Sequence, residues 1–92
     1  MVVVSAETQG VGWRCQVSVD HGGQRTRHLV TVTPSDLDRW AEGVERADVE
    51  RLVTKSFEFL LEREPPSAIL ATFELSVIQG YFPDYDSAFR RP

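Results

Sequence analysis

The sequence predicts an α+β domain: a three-stranded antiparallel β-meander followed by three to four helices packed on one sheet face. Three observations predict it. From Val11 to Asp20, apolar and polar side chains alternate with a period of two, the pattern of a half-buried strand. Glycine-bearing turns at Gln9-Gly10 and Gly22-Gly23 divide residues 1–33 into three short runs. From Asp48 to Glu64 the apolar positions instead recur at helical spacing. With 92 residues, one domain is expected, with the meander at 1–33, a helical part at 34–82 and a tail at 83–92.

The first run, Val2 to Glu7, is rich in β-branched residues. A two-residue turn at Gln9-Gly10 opposes Ala6 to Trp13, Val4 to Cys15 and Val2 to Val17. Closing the second hairpin at Gly22-Gly23 opposes Asp20 to Arg25, Val17 to His28, Cys15 to Val30 and Trp13 to Val32. Apolar residues then meet apolar residues on one face, and a one-residue slip would set valines against the polar face.

Thr33-Pro34-Ser35-Asp36 starts a helix: a hydroxyl N-cap, a proline at the first helical position and a carboxylate near the positive end of the dipole. Leu37, Trp40 and Ala41 form its inner side, and Gly43 is expected to end it. In the central helix, Val49, Val53, Ser56, Phe57 and Leu60 share one stripe, with Leu52, Phe59 and Leu61 at its margins. Asp48 is expected to cap its start, and Pro65-Pro66 stops its end. Ser56 is a small residue inside the stripe, where another element can approach closely. Lys55 lies beside Glu58 and Glu62 on the outer face, which suggests a surface charge ladder.

Beyond the prolines, Ile69, Leu70 and Phe73 suit a helix beginning near Ser67. Leu75, Ile78, Tyr81 and Phe82 suit another, closed by Pro83. A strand competes there, because Phe73, Leu75 and Val77 alternate with polar residues; helix is the preferred reading. Residues 84–92 look like a fraying tail on which Tyr85 and Phe89 can dock.

The segment Ser56-Phe57-Glu58-Phe59-Leu60-Leu61-Glu62-Arg63-Glu64-Pro65, then Ile69-Leu70, Phe73-Glu74-Leu75-Ser76-Val77-Ile78 and Tyr81-Phe82-Pro83-Asp84-Tyr85, resembles a family of small uncharacterised prokaryotic proteins. In that family a β-rich half precedes the phrases SFEFLLEREP, ILxxFDLxVI and YFPEY. The likeness covers about a third of the chain in its motifs and the strand half in pattern. The family has aspartate where this chain has Glu74. The resemblance supports the architecture and implies no activity or catalytic residues.

Composition narrows the function classes. A formal charge of −4 and a pI near 5.0 argue against a broadly nucleic-acid-binding surface. Cys15 is the lone cysteine, so no internal disulfide forms. Met1 leads into three valines with no basic flank and no long apolar run, so neither a signal peptide nor a membrane span is expected, and the expected compartment is the cytoplasm. No zinc-type spacing or glycine-rich phosphate loop is present, so no metal, cofactor or catalytic residue is assigned. Cys15 and His28, diagonal neighbours across two strands, read as packing residues rather than a nucleophile and its base.

Two binding readings remain, both non-catalytic. The first is a protein-interaction or regulatory module, self-associating or taking another protein, with Tyr81, Phe82, Tyr85 and Phe89 as its contact residues. The second is a nucleic-acid-binding β-ribbon that uses Arg14, Arg25 and Arg27, which project from the face opposite the valines.

Overall fold

A computed structural model describes residues 1–90. Among them are four strands and four α-helices: β1 (Val2–Gln9), β2 (Gly12–His21), β3 (Gln24–Val32), α1 (Pro34–Trp40), α2 (Arg46–Leu61), β4 (Thr72–Glu74), α3 (Val77–Tyr81) and α4 (Asp84–Phe89). The sheet order is β1-β2-β3-β4. The first three strands form the expected antiparallel meander, and β4 adds to β3 in parallel, so the sheet is mixed.

The second hairpin has the expected register, with Val17 opposite His28 and Trp13 opposite Val32. Gly22 and Gly23 take φ of 60° and 80°, the left-handed region both positions of such a turn demand. The first hairpin differs from expectation by two residues. Ala6 faces Cys15, Val4 faces Val17 and Val2 faces Val19, because the turn residues are Gly10 and Val11. Gly10 has φ of 59° and occupies the first turn position, where a two-residue hairpin can require positive φ. A slip of two keeps every side chain on its face, so the apolar pattern is satisfied either way.

Ala6, Cys15, Val17, Val19, Val30 and Val32 are buried on the inner face of the sheet. The stripe of α2 meets them: Val49, Leu52, Val53, Ser56, Phe57, Phe59 and Leu60 are all buried. The shortest dimension of the molecule is 18 Å, the depth of one sheet and one helical layer. Glu7, Arg14, Gln16, Ser18, Arg25 and Arg27 lie exposed on the other face.

The α1 start is as expected. The Asp36 amide donates to Thr33 Oγ1 at 3.2 Å, and the Thr33 amide donates to Asp36 Oδ2 at 2.9 Å. The helix ends at Trp40, before Gly43. Gly43 instead leaves room for the Asp48 carboxylate, which a Cβ at that position would strike. Helix α2 begins two residues before Asp48 and ends at Leu61, short of the expected Glu64, because the Arg63 and Glu64 amides both turn back to the Leu60 carbonyl at 2.9 Å. Asp48 still serves its start, as the acceptor for the Glu45 amide at 3.1 Å. Lys55 reaches Glu42 at 3.9 Å rather than forming a ladder with Glu58 and Glu62.

The main correction follows the prolines. The helix expected from Ser67 to Phe73 is a single 3-10 turn at Pro66–Ala68 followed by β4. Beyond the ladder that joins β4 to β3, a backbone bond flanks it at each end: the Leu29 amide to the Ala71 carbonyl at 2.8 Å and the Leu75 amide to the Thr31 carbonyl at 2.9 Å. The outward-facing backbone groups of β3 decide the conformation of a segment whose own periodicity is ambiguous. The strand alternation extends only through Leu75, and the next turn is helical as expected for Ile78 and Tyr81. Residues 84–89 form α4 instead of a frayed end, and the Arg90 amide closes it on the Asp86 carbonyl at 2.8 Å; residues 91 and 92 of the expected tail lie outside the described residues.

Candidate functional site

The described residues after α2 fold back on its C-terminal half, and side chains hold them there. Ser56 Oγ donates to the Leu52 carbonyl at 2.7 Å and lies 2.7 Å from the Tyr85 hydroxyl. The serine has one proton to give, so the tyrosine donates to it. The small residue expected to admit a neighbour therefore admits the Tyr85 ring. Burial pushes the Tyr85 phenol far above its usual value, so it stays a neutral donor. The Trp40 indole donates to Asp86 Oδ1 at 2.9 Å. Arg63 ties α2 to α4: it donates to the Phe59 carbonyl and to Asp84 Oδ2, each at 2.9 Å, and covers the Phe59 ring, whose centroid is 3.5 Å from the guanidinium carbon, with Glu62 beside it at 3.6 Å.

These bonds divide the four aromatic residues expected to contact a partner. Tyr85 is wholly buried, edge-on to Trp40 and Phe59 with centroids at 5.0 and 5.3 Å. Phe89 stacks on Tyr85 at 4.4 Å, and Phe82 meets Phe59 edge-on at 6.2 Å; both are half-buried. Tyr81 alone stands out, with 69% of its surface exposed.

Tyr81 borders a cleft of about 190 Å³ between the end of α2, the 3-10 turn, β4 and α3. Leu60, Ile69, Phe73 and Ile78 supply apolar walls. Leu70, 48% exposed, lies among the lining residues with Tyr81. His28 anchors the loop carrying Leu70. Its Nδ1 lies 2.7 Å from the Leu70 carbonyl, which can only accept, so Nδ1 carries the proton. Nε2 lies 2.8 Å from Thr26 Oγ1. Glu64 is the one charged residue of the lining. It is half-buried, and among the described residues no ion pair or hydrogen bond engages its carboxylate. Sequence reasoning passed over Leu70 and Glu64 as site residues. An acid just before Pro65-Pro66 was the available signal, but the cleft requires β4 to be in place.

Cys15 and His28 do share the inner face, but both are enclosed and committed. Burial, with the nearby Glu50 carboxylate adding to it, pushes the Cys15 thiol up to about 12, so the nucleophilic thiolate is suppressed. Both ring nitrogens of His28 have partners, and the ring packs on Phe57 at 5.2 Å. Among the described residues no group of three His, Cys, Asp or Glu converges to hold a metal. No helix among them is long and apolar enough to cross a membrane.

Arg14, Arg25 and Arg27 all lie on the open face, interleaved with acids. Glu7 is opposite Arg14 in the register, and the Arg25 guanidinium lies 3.2 Å from Asp20. Glu74 lies exposed on the same face at the β4 end.

Fold and cleft together define a small α+β domain with a mixed four-stranded sheet and an apolar recess beside its parallel strand. No family model matches the chain, and neither a curated protein nor a solved structure matches it.

Proposed function

We propose that this domain is a non-enzymatic protein-interaction module. A partner's apolar side chain enters the cleft bounded by Leu70 and Tyr81, and a neighbouring lysine or arginine of the same partner meets Glu64. The carrying observation is Glu64: a half-buried carboxylate in an apolar lining, with no cation of the described residues on it. Such a group gains most from a cation that arrives with an apolar neighbour and displaces water from both. Size supports a side chain over a cofactor. At about 190 Å³ the cleft is smaller than the roughly 300–1,000 Å³ of small-molecule sites. The enclosed thiol and the doubly bonded imidazole support a non-catalytic reading, and the proposed setting is the cytoplasm, where a lone thiol stays reduced. The motif family that the chain resembles is proposed to share this role.

Selection of a displayed peptide library on the folded protein tests this. Enriched peptides are expected to pair a basic residue with an aliphatic or aromatic one. Their affinity is expected to fall at least about tenfold for Glu64→Gln or Tyr81→Ser, a loss of about 1.4 kcal/mol. No enrichment, or peptides that bind both variants as well as the parent, would discard the reading.

The nucleic-acid alternative has three arginines on one face in its favour, but Glu7, Asp20 and Glu74 share that face. A face of mixed sign releases few counterions, so any binding of duplex DNA should be weak and nearly flat with salt.

A further inference from the structure

We infer that the free edge of β1 is a self-association surface, through which two copies pair antiparallel about Val3 and join their sheets. The hydrogen-bond phase of β1 carries this inference. The Asp20 amide donates to the Met1 carbonyl at 2.8 Å, and antiparallel bonds join every second pair. Odd-numbered residues of β1 therefore bond β2, while Val2, Val4 and Ala6 turn their N–H and C=O groups away from the sheet. Ala6 confirms the phase: its amide donates outward to Glu50 Oε2 of α2 at 2.9 Å. Glu50 thus seals the edge at Ala6, and among the described residues no strand pairs with the outward backbone of Val2 and Val4.

The two sheet edges are treated differently. Beyond the three residues of β4, the outer side of β3 carries the charged residues Arg25 and Arg27, and the Gln24 side chain accepts from the Ser67 amide at 3.3 Å. On β1 the residues from Val2 to Ala6 include no charge and no proline, and the one-to-one register shows no bulge. Those are the usual devices that keep a strand edge from pairing. Val3 is 54% exposed and Met1 81%.

A second copy fits because the open stretch is self-complementary. A two-fold axis through Val3 sets Val2 against Val4 of the other copy, and Val4 against its Val2. All four residues present outward N–H and C=O groups, so both pairs close with two bonds each. The two Val3 side chains meet on the open face. Ala6 lies outside the paired stretch, so the Glu50 bond survives. This surface lies across the sheet from the Leu70–Tyr81 cleft and does not depend on the function proposed for it.

So short a pairing predicts a weak, reversible dimer. Sedimentation equilibrium from about 10 µM to about 1 mM reads it directly. The mass is expected to rise from 10.4 kDa towards twice that value, and Val3→Lys should weaken association at least about tenfold by opposing two ammonium groups at the axis. A mass that stays at 10.4 kDa throughout overturns the inference, as does equal association of Val3→Lys and the parent. Val3→Cys supplies a test that needs no loss of binding. On mild oxidation it should form a disulfide-linked dimer faster than Ser18→Cys, placed on the same face one strand inward. Equal rates for the two would count against the edge.

Discussion

The meander and the C-terminal segment reach the same core by different means. Residues 2–32 are held by a backbone ladder between strands that follow one another in the chain. The segment after α2 has only the short parallel strand β4 as ladder. Side chains complete it: Tyr85 on Ser56, Asp86 on Trp40, Asp84 on Arg63. Helix α2 serves both, with Phe57 beside His28 and Phe73, and Phe59 beneath Phe82, Tyr85 and Phe89. The difference teaches that a short segment without a ladder can be fixed by a few buried hydroxyl and ring contacts, each of which is then individually important.

The comparison breaks most completely at Phe57, which packs against both β3 and β4. Phe57→Ala should cost about 3–5 kcal/mol, a large part of the roughly 5–14 kcal/mol available to a chain of this size. Urea unfolding should show one earlier transition for the whole domain. Separate early loss of the C-terminal segment, with the meander unaffected, would show that the two regions do not share Phe57.

Tyr85→Phe sharpens the contrast. The ring remains, and the bond to Ser56 goes, at a cost of about 1 kcal/mol. Hydrogen exchange should accelerate in α4 while the amides of β2 and β3 keep their protection. Uniform acceleration would mean that α4 and the sheet open together.

Acid gives the smallest effect. The indole bond from Trp40, with Arg90 adding to it, holds the Asp86 carboxyl below its ordinary 3.8. A carboxylate depressed in the folded state stabilises that state above its unfolded value and loses the contribution as pH falls through the folded one. The window therefore opens near pH 3.8 and extends below it. The Trp40 indole proton resonance should shift there, and Asp86→Asn should abolish the shift. A variant that titrates like the parent would assign the change to another group.

The meander was legible because strand alternation, turn glycines and pairing are all local, and so was the buried stripe of α2. Even there the pattern could not choose between turn residues Gln9-Gly10 and Gly10-Val11, since a period of two is blind to a shift of two. Ser56 was legible as a point of close approach, but its occupant, Tyr85, lies 29 residues further along the chain. The cleft was less legible: the sequence points to Tyr81 and Phe82 as contact residues, whereas Leu70 and Glu64 join them only once β4 is docked.

The sequence by itself determined which side chains of the meander and of α2 face the core and where α1 starts, because periodicity and capping act within a few residues; the prolines bound α2, which stops at Leu61 before reaching them. Tertiary structure alone decided that residues 72–74 are a strand, that Tyr85 is core and Tyr81 surface, and that the β1 edge is left open. Those outcomes depend on which hydrogen-bonding groups and apolar surfaces remain unpaired after the first three strands and α2 have met, and no local pattern records that.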